Sequence, residues 1–222
     1  MIKSISTLVV LAALVSPVFG GVIERVTADV KTGTVVIALN DTVADALDLA
    51  EVALKKAQPA RIKPGKGELT FVVSGGAIDL STGKSEIIGS GGITFAKEIP
   101  PAPIEPSAVK VPKQFKTVTI LDPIVDLSDR NADVVTKTIS ATIVVNGALL
   151  GRLEVFTIDG TVFSELGAIL PKNRKISVKN LSLKLTADAA TALNEALGVP
   201  VFTGDAEIGK VDLNVTTASS KL

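Results

Sequence analysis

The chain has 222 residues with 23 basic and 23 acidic side chains, a formal net charge of +0, and no basic excess to hold nucleic acid or anionic lipid. It has no Cys, His, Tyr or Trp, and its single Met is the initiator. That inventory removes disulfides, thiolate nucleophiles, Cys- or His-bound metals and the commonest general base, so an exported domain of this composition rests on its apolar core alone.

The opening MIKSISTLVVLAALVSPVFG carries Lys3, an apolar run from Leu8 to Val15, then Ser16-Pro17 and small residues. It reads as a secretory leader, residues 1–20, cleaved after Gly20, and the run is too short to span a bilayer. Losing Lys3 with the leader leaves 22 basic against 23 acidic residues, a net charge of −1. The expectation is an exported protein, secreted or held at the cell envelope, without a transmembrane span. Residues 21–222 are expected to form one β-rich domain.

Apolar residues alternate with period two along most of the chain, as in half-buried antiparallel strands. The sets are Val35, Ile37 and Leu39; then Leu69, Phe71 and Val73; then Ile139, Ala141, Ile143 and Val145; and finally Val211, Leu213 and Val215. In ISVKNLSLKL the inward parity changes between Val178 and Leu181, which predicts a β-bulge near Lys179-Asn180, and a similar shift is expected around Gly209.

Two segments have helical period. DTVADALDLAEVALKKAQP predicts a helix with a Thr42…Asp45 capping box, a stripe of Val43, Leu47, Ala50, Leu54 and Ala57, and a Glu51–Lys55 pair. TADAATALNEALGVP predicts a second helix that starts at Thr186, buries Leu193 and Leu197, and stops at Gly198 with Pro200 beyond. Between them, KEIPPAPIEPSAVKVPK (97–113) holds five of the 11 prolines and reads as an extended connector. The fold class is mainly β: an antiparallel β-sandwich or partly open barrel with two short amphipathic helices.

Gly83-Lys84-Ser85 imitates the end of a phosphate-binding loop. Such a loop needs Gly five residues before Gly83, and that position is Ile78; more strand, not helix, follows Ser85. Thr82-Gly83 is read as a hairpin turn. GSGGITF misses the nucleophile elbow because residue 88 is Ile. Asp41, Asp45, Asp48 and Glu51 read as a solvated helix face. Asp122, Asp126, Asp129 and Asp133 supply four carboxylates within 12 residues, the sequence's candidate for a Ca²⁺ site, although their spacing is not that of a calcium-hand loop. A carboxylate pair can in principle hydrolyse glycosides, but most of the Phe residues that would form a sugar platform sit at strand positions that suit core packing. No enzymatic activity is expected.

GELTFVVSGGAIDLSTGKSEIIGSGGITF and NLSLKLTADAATALNEALGVPVFTGDAEIGKVDLNV together resemble the HtaA-type domain, a family of secreted and surface-attached domains associated with haem uptake. The matching features are Gly75-Gly76, Asp79, Thr82-Gly83, Gly89-Ser90-Gly91-Gly92 and Phe95, then Leu185-Thr186, Leu193-Asn194, Phe202 and Ile208-Gly209. The likeness spans roughly residues 33–216 and its motifs are structural. It implies an antiparallel β-rich domain and, in characterised members, haem held through Tyr supported by His. This chain has neither residue, so no ligand position carries over and no cofactor is assigned from the residues. The expected role is a non-catalytic binding or structural component whose partner is a surface or an apolar small molecule. The alternative is a carrier of haem or another apolar ligand without Tyr or His ligation.

Overall fold

The computed structural model describes residues 27–63, 67–79, 85–100, 112–126, 136–159 and 175–220. The leader, the Thr82-Gly83 turn, most of the proline-rich connector, Phe163, Asp129 and Asp133 lie outside the described residues.

In chain order the elements are β1 (Thr27–Leu39), α1 (Asp41–Leu49), β2 (Val52–Ala57), β3 (Arg61–Lys63), β4 (Glu68–Asp79), β5 (Ser85–Ser90) and β6 (Gly92–Ile99). There follow β7 (Gln114–Asp126), β8 (Thr136–Val145), β9 (Ala148–Asp159), β10 (Lys175–Leu185), α2 (Ala187–Leu197) and β11 (Glu207–Ser220). All pairings are antiparallel. Eight strands close a barrel in the order β7-β5-β4-β1-β11-β10-β9-β8, with β8 returning to β7. Closure removes the sheet edges that an open sandwich would leave. The three other strands, β2, β3 and β6, add to this wall on one side.

The alternation read from the sequence fills the barrel. Val35, Ile37, Leu69, Phe71, Val73, Ile139, Ala141, Ile143, Val211, Leu213 and Val215 are all buried. The predicted bulge is present: the β10–β11 register shifts between Val178 and Leu181, and Asn180 takes φ 58. Ile176, Val178, Leu181, Leu183 and Leu185 therefore all face the core. The second shift also appears, with Ile208 and Gly209 both buried.

The second helix forms as read. Thr186 Oγ1 accepts from Ala189 N–H at 3.2 Å, and Gly198 ends the helix in the left-handed region at φ 67. It packs against β6, β7 and β9 and buries Leu193 and Leu197. Asn194 then pins the following chain: its Oδ1 accepts from Val201 and Phe202 N–H, and its Nδ2 donates to Phe202 C=O at 2.7 Å. Phe202 meets Phe95 edge to face, with ring centroids 5.6 Å apart.

The first helix corrects the sequence reading. It ends at Leu49, and VALKKA is strand β2, paired with β6 from Val52–Lys97 to Ala57–Gly92. Its N-cap is Asn40, whose Oδ1 accepts from Val43 N–H at 2.8 Å, in place of the Thr42…Asp45 box. Glu51 takes φ 58, which breaks the helix, so the stripe never reaches Leu54 and Ala57 and no Glu51–Lys55 helical pair exists. A six-residue segment gains more by completing a ladder beside a formed strand than by extending a surface helix, and context overrides its propensity. The ends of the connector are held together as well, since β6 and β7 pair from Gly92–Leu121 to Ile99–Gln114.

Candidate functional site

β5 and β6 are separated by one residue, Gly91, at φ 89. Before it, β5 lies between β4 and β7; after it, β6 lies between β7 and β2. Gly91 is thus where the wall divides. A Cβ there would sit 2.5 Å from Ala60 N, so glycine is required both by the backbone angle and by the closeness of the β2–β3 turn. Across from it, β7 bulges between Leu121 and Ile124. Asp122 N–H donates to Gly91 C=O at 2.8 Å, and Asp122 Oδ1 accepts from Gly91 N–H at 3.0 Å. The GSGG motif and the first candidate calcium carboxylate therefore form one structural clamp.

Of the other candidate carboxylates, Asp126 alone is among the described residues. Asp126 closes β7, opposite Glu86 and Thr138, four residues along the strand from Asp122. Among the described residues no group of three acidic side chains is placed to hold a metal ion.

Among the described residues the barrel interior is closely packed. Its apolar void, bordered by Phe71, Phe95, Phe156 and Phe202, measures about 30 Å³, room for little more than a water. Phe115 lies outside this core, with the Lys55 ammonium 4.3 Å above its ring.

A larger concavity lies where the wall divides. β2 and β3 are joined through a tight turn in which Ala60 N–H donates to Ala57 C=O at 3.2 Å. From that turn β2 follows β6 and β3 follows β4, so the two strands part company. Between them and under α1 lies a cleft of about 670 Å³. Leu39, Leu47, Val52, Leu54 and Ile62 give it apolar surface; Asp41, Asp45 and Asp48 of α1 stand on its rim, with Lys56 and Lys63 contributed by the strands. This size lies within the usual range for small-molecule sites, about 300–1,000 Å³. The acidic helix face of the sequence reading thus borders the cleft, and Lys56 joins it from strand β2 rather than from a helix end.

No protein-family model matches the sequence, and no curated protein matches it. Among solved structures the chain is similar to the C-terminal domain of HtaA from Corynebacterium glutamicum, with a TM-score of 0.57 and 13% identity over 86% of this chain and 99% of that one. The likeness is one of fold: a mainly β, closed antiparallel barrel with two helices. Among the described residues no helix is long and apolar enough to cross a membrane.

Proposed function

We propose that this chain is a non-catalytic binding domain of the HtaA type, acting at the cell envelope or outside the cell, with the cleft beneath α1 as its binding site. The observation that carries the reading is the contrast between a barrel void of about 30 Å³ and a cleft of about 670 Å³. Export is supported by the leader-like residues 1–20, and the absence of catalysis by a sequence without Cys, His or Tyr. The fold likeness to an HtaA domain supports the class. The second reading is a carrier of haem or another apolar ligand. Among the described residues the barrel void of about 30 Å³ is too small to seat it, which favours the cleft as the place where such a ligand would lie.

Haemin is the first probe, titrated by absorbance into the chain freed of residues 1–20 and into Ala44→Trp, which narrows the cleft. A saturating Soret band lost in Ala44→Trp supports the cleft and the carrier reading together. A band indifferent to Ala44→Trp removes the cleft as the site. Spectra of free haemin with both proteins dispose of the haem reading and leave a macromolecular partner.

A further inference from the structure

The cleft has a property that a small-molecule pocket does not need: two strand edges border it. β2 has a ladder partner only in β6, and β3 only in β4, among the described residues. Both strands line the same cleft, through Val52, Leu54 and Lys56 on one side and Ile62 and Lys63 on the other. Successive residues of a strand point their N–H and C=O groups to alternate sides, so about half of those on β2 are directed away from β6, to the side where no ladder partner is present among the described residues. A hydrogen-bonding edge that ends at a cleft with an apolar floor is the geometry of strand addition.

We propose that the partner of this cleft is an extended peptide segment that inserts as a strand between β2 and β3; the proposal rests on the cleft being the binding site. The pairings fix the polarity of such a complex. β6 runs antiparallel to β4, β2 antiparallel to β6 and β3 antiparallel to β4, so β2 and β3 run antiparallel to each other. An inserted strand is then antiparallel to one of them and parallel to the other. β2 has six residues, so the segment engaged is about six residues, or about 20 Å, long. Alternate side chains meet Leu54 and Ile62, which selects an apolar–polar alternation without proline at the bonded positions. Asp41, Asp45 and Asp48 run along the α1 side of the cleft and select a Lys or Arg facing them. Lys55 is drawn aside over Phe115, so Lys56 is the β2 lysine that stands at the cleft.

The probe is a panel of capped hexapeptides with alternating apolar and polar residues and Lys at one polar position or another, each also made with alternate backbone nitrogens methylated. Methylation removes hydrogen bonds while keeping every side chain. Strand addition requires saturable binding to the parent chain, with slowed amide exchange at residues 52–57 and 61–63. It also requires binding at least about tenfold weaker after methylation on the bonded face. Asp45→Lys with Asp48→Lys should weaken Lys-bearing peptides a few-fold at low salt. Equal affinity of methylated and unmethylated peptides overturns the proposal. So does a panel that fails to bind while haemin binds in a manner Ala44→Trp abolishes, a result that leaves the cleft reading standing. If the peptides bind but neither Ala44→Trp nor amide exchange places them in the cleft, both readings fall.

Discussion

The two helices of this molecule begin alike and end in opposite roles. Each follows a barrel strand, and each is capped by a polar side chain that accepts from the third residue on: Asn40 from Val43, Thr186 from Ala189. α2 then buries Ala189, Ala190, Leu193 and Leu197, whereas α1 buries only Leu47 and leaves its last residue, Leu49, 88% exposed. One helix packs into the core against β6, β7 and β9; the other borders the cleft where the wall parts. Similar local signals therefore yield a core element or a site element according to what the neighbouring strands leave open.

The strongest way to break the comparison is to hollow out the buried face of α2. Leu197 is fully buried, and Leu197→Ala should cost about 3–4 kcal/mol, the sum of lost transfer energy and a cavity that the barrel cannot close. Leu47 is also buried but borders the cleft, so Leu47→Ala should cost less, about 2 kcal/mol, because solvent can reach the space left behind. Urea unfolding of both variants measures the difference. Equal losses would mean that α1 belongs to the core as fully as α2 does.

Next in size is the branch point. Gly91→Ala meets a backbone at φ 89 and a Cβ position 2.5 Å from Ala60 N, and should destabilise by about 2–3 kcal/mol. It should also raise amide exchange in β2 and β3 more than in α2, because the strain falls on the β2–β3 turn. A uniform rise across the chain would show that the division of the wall is not a separate unit.

The difference between the helices was half legible in the sequence. α2 is bounded by Thr186 and Gly198 and shows its apolar period, so local signals suffice. For α1 they mislead. Leu54 fits both a helical stripe with Ala50 and Ala57 and a strand alternation with Val52, and nothing nearby announces that Glu51 adopts φ 58. The deciding partner, β6, lies some 40 residues ahead, from Lys97 back to Gly92. Asp122 hid its role for the same reason: it is one of four aspartates in sequence, but the group it binds is Gly91, 31 residues away. The strand faces and both bulges depend on parity within one segment, and these could be read. The cleft depends on β2, whose state is set by its distant partner β6, and so could not.

The caps offer a finer test. Thr186→Ala should cost about 1 kcal/mol, the usual value of an N-cap. Asn40→Ala loses the same kind of bond and also the 2.7 Å bond from its Nδ2 to Glu207 C=O, which ties the start of α1 to β11. It should therefore cost more than Thr186→Ala although α1 is the less buried helix. Thermal melts rank the two, and the reverse order would show that the weak packing of α1 outweighs its extra bond.

The smallest effect is electrostatic and sits on that same residue. The Glu207 carboxyl is held below the ordinary glutamate range, chiefly by the hydrogen bond from Lys210 and then by the one from Ser182. Its Oε1 lies 2.8 Å from Lys210 Nζ. A carboxyl depressed in the folded state adds stability that is fully present above its unfolded pKa, and that stability is lost as pH falls through the folded value. The parent should therefore lose stability relative to Glu207→Gln only under acidic conditions, below the ordinary glutamate range. The site is open to solvent, so the gap should be small and should shrink with salt. The carboxylate stabilises β10 against β11, whereas the carbonyl of the same residue holds Asn40. If acid instead speeds amide exchange in α1 well before β10 and β11, protonation is reaching the helix through that carbonyl, and the α1 end of the molecule is less independent of the barrel than its exposure suggests.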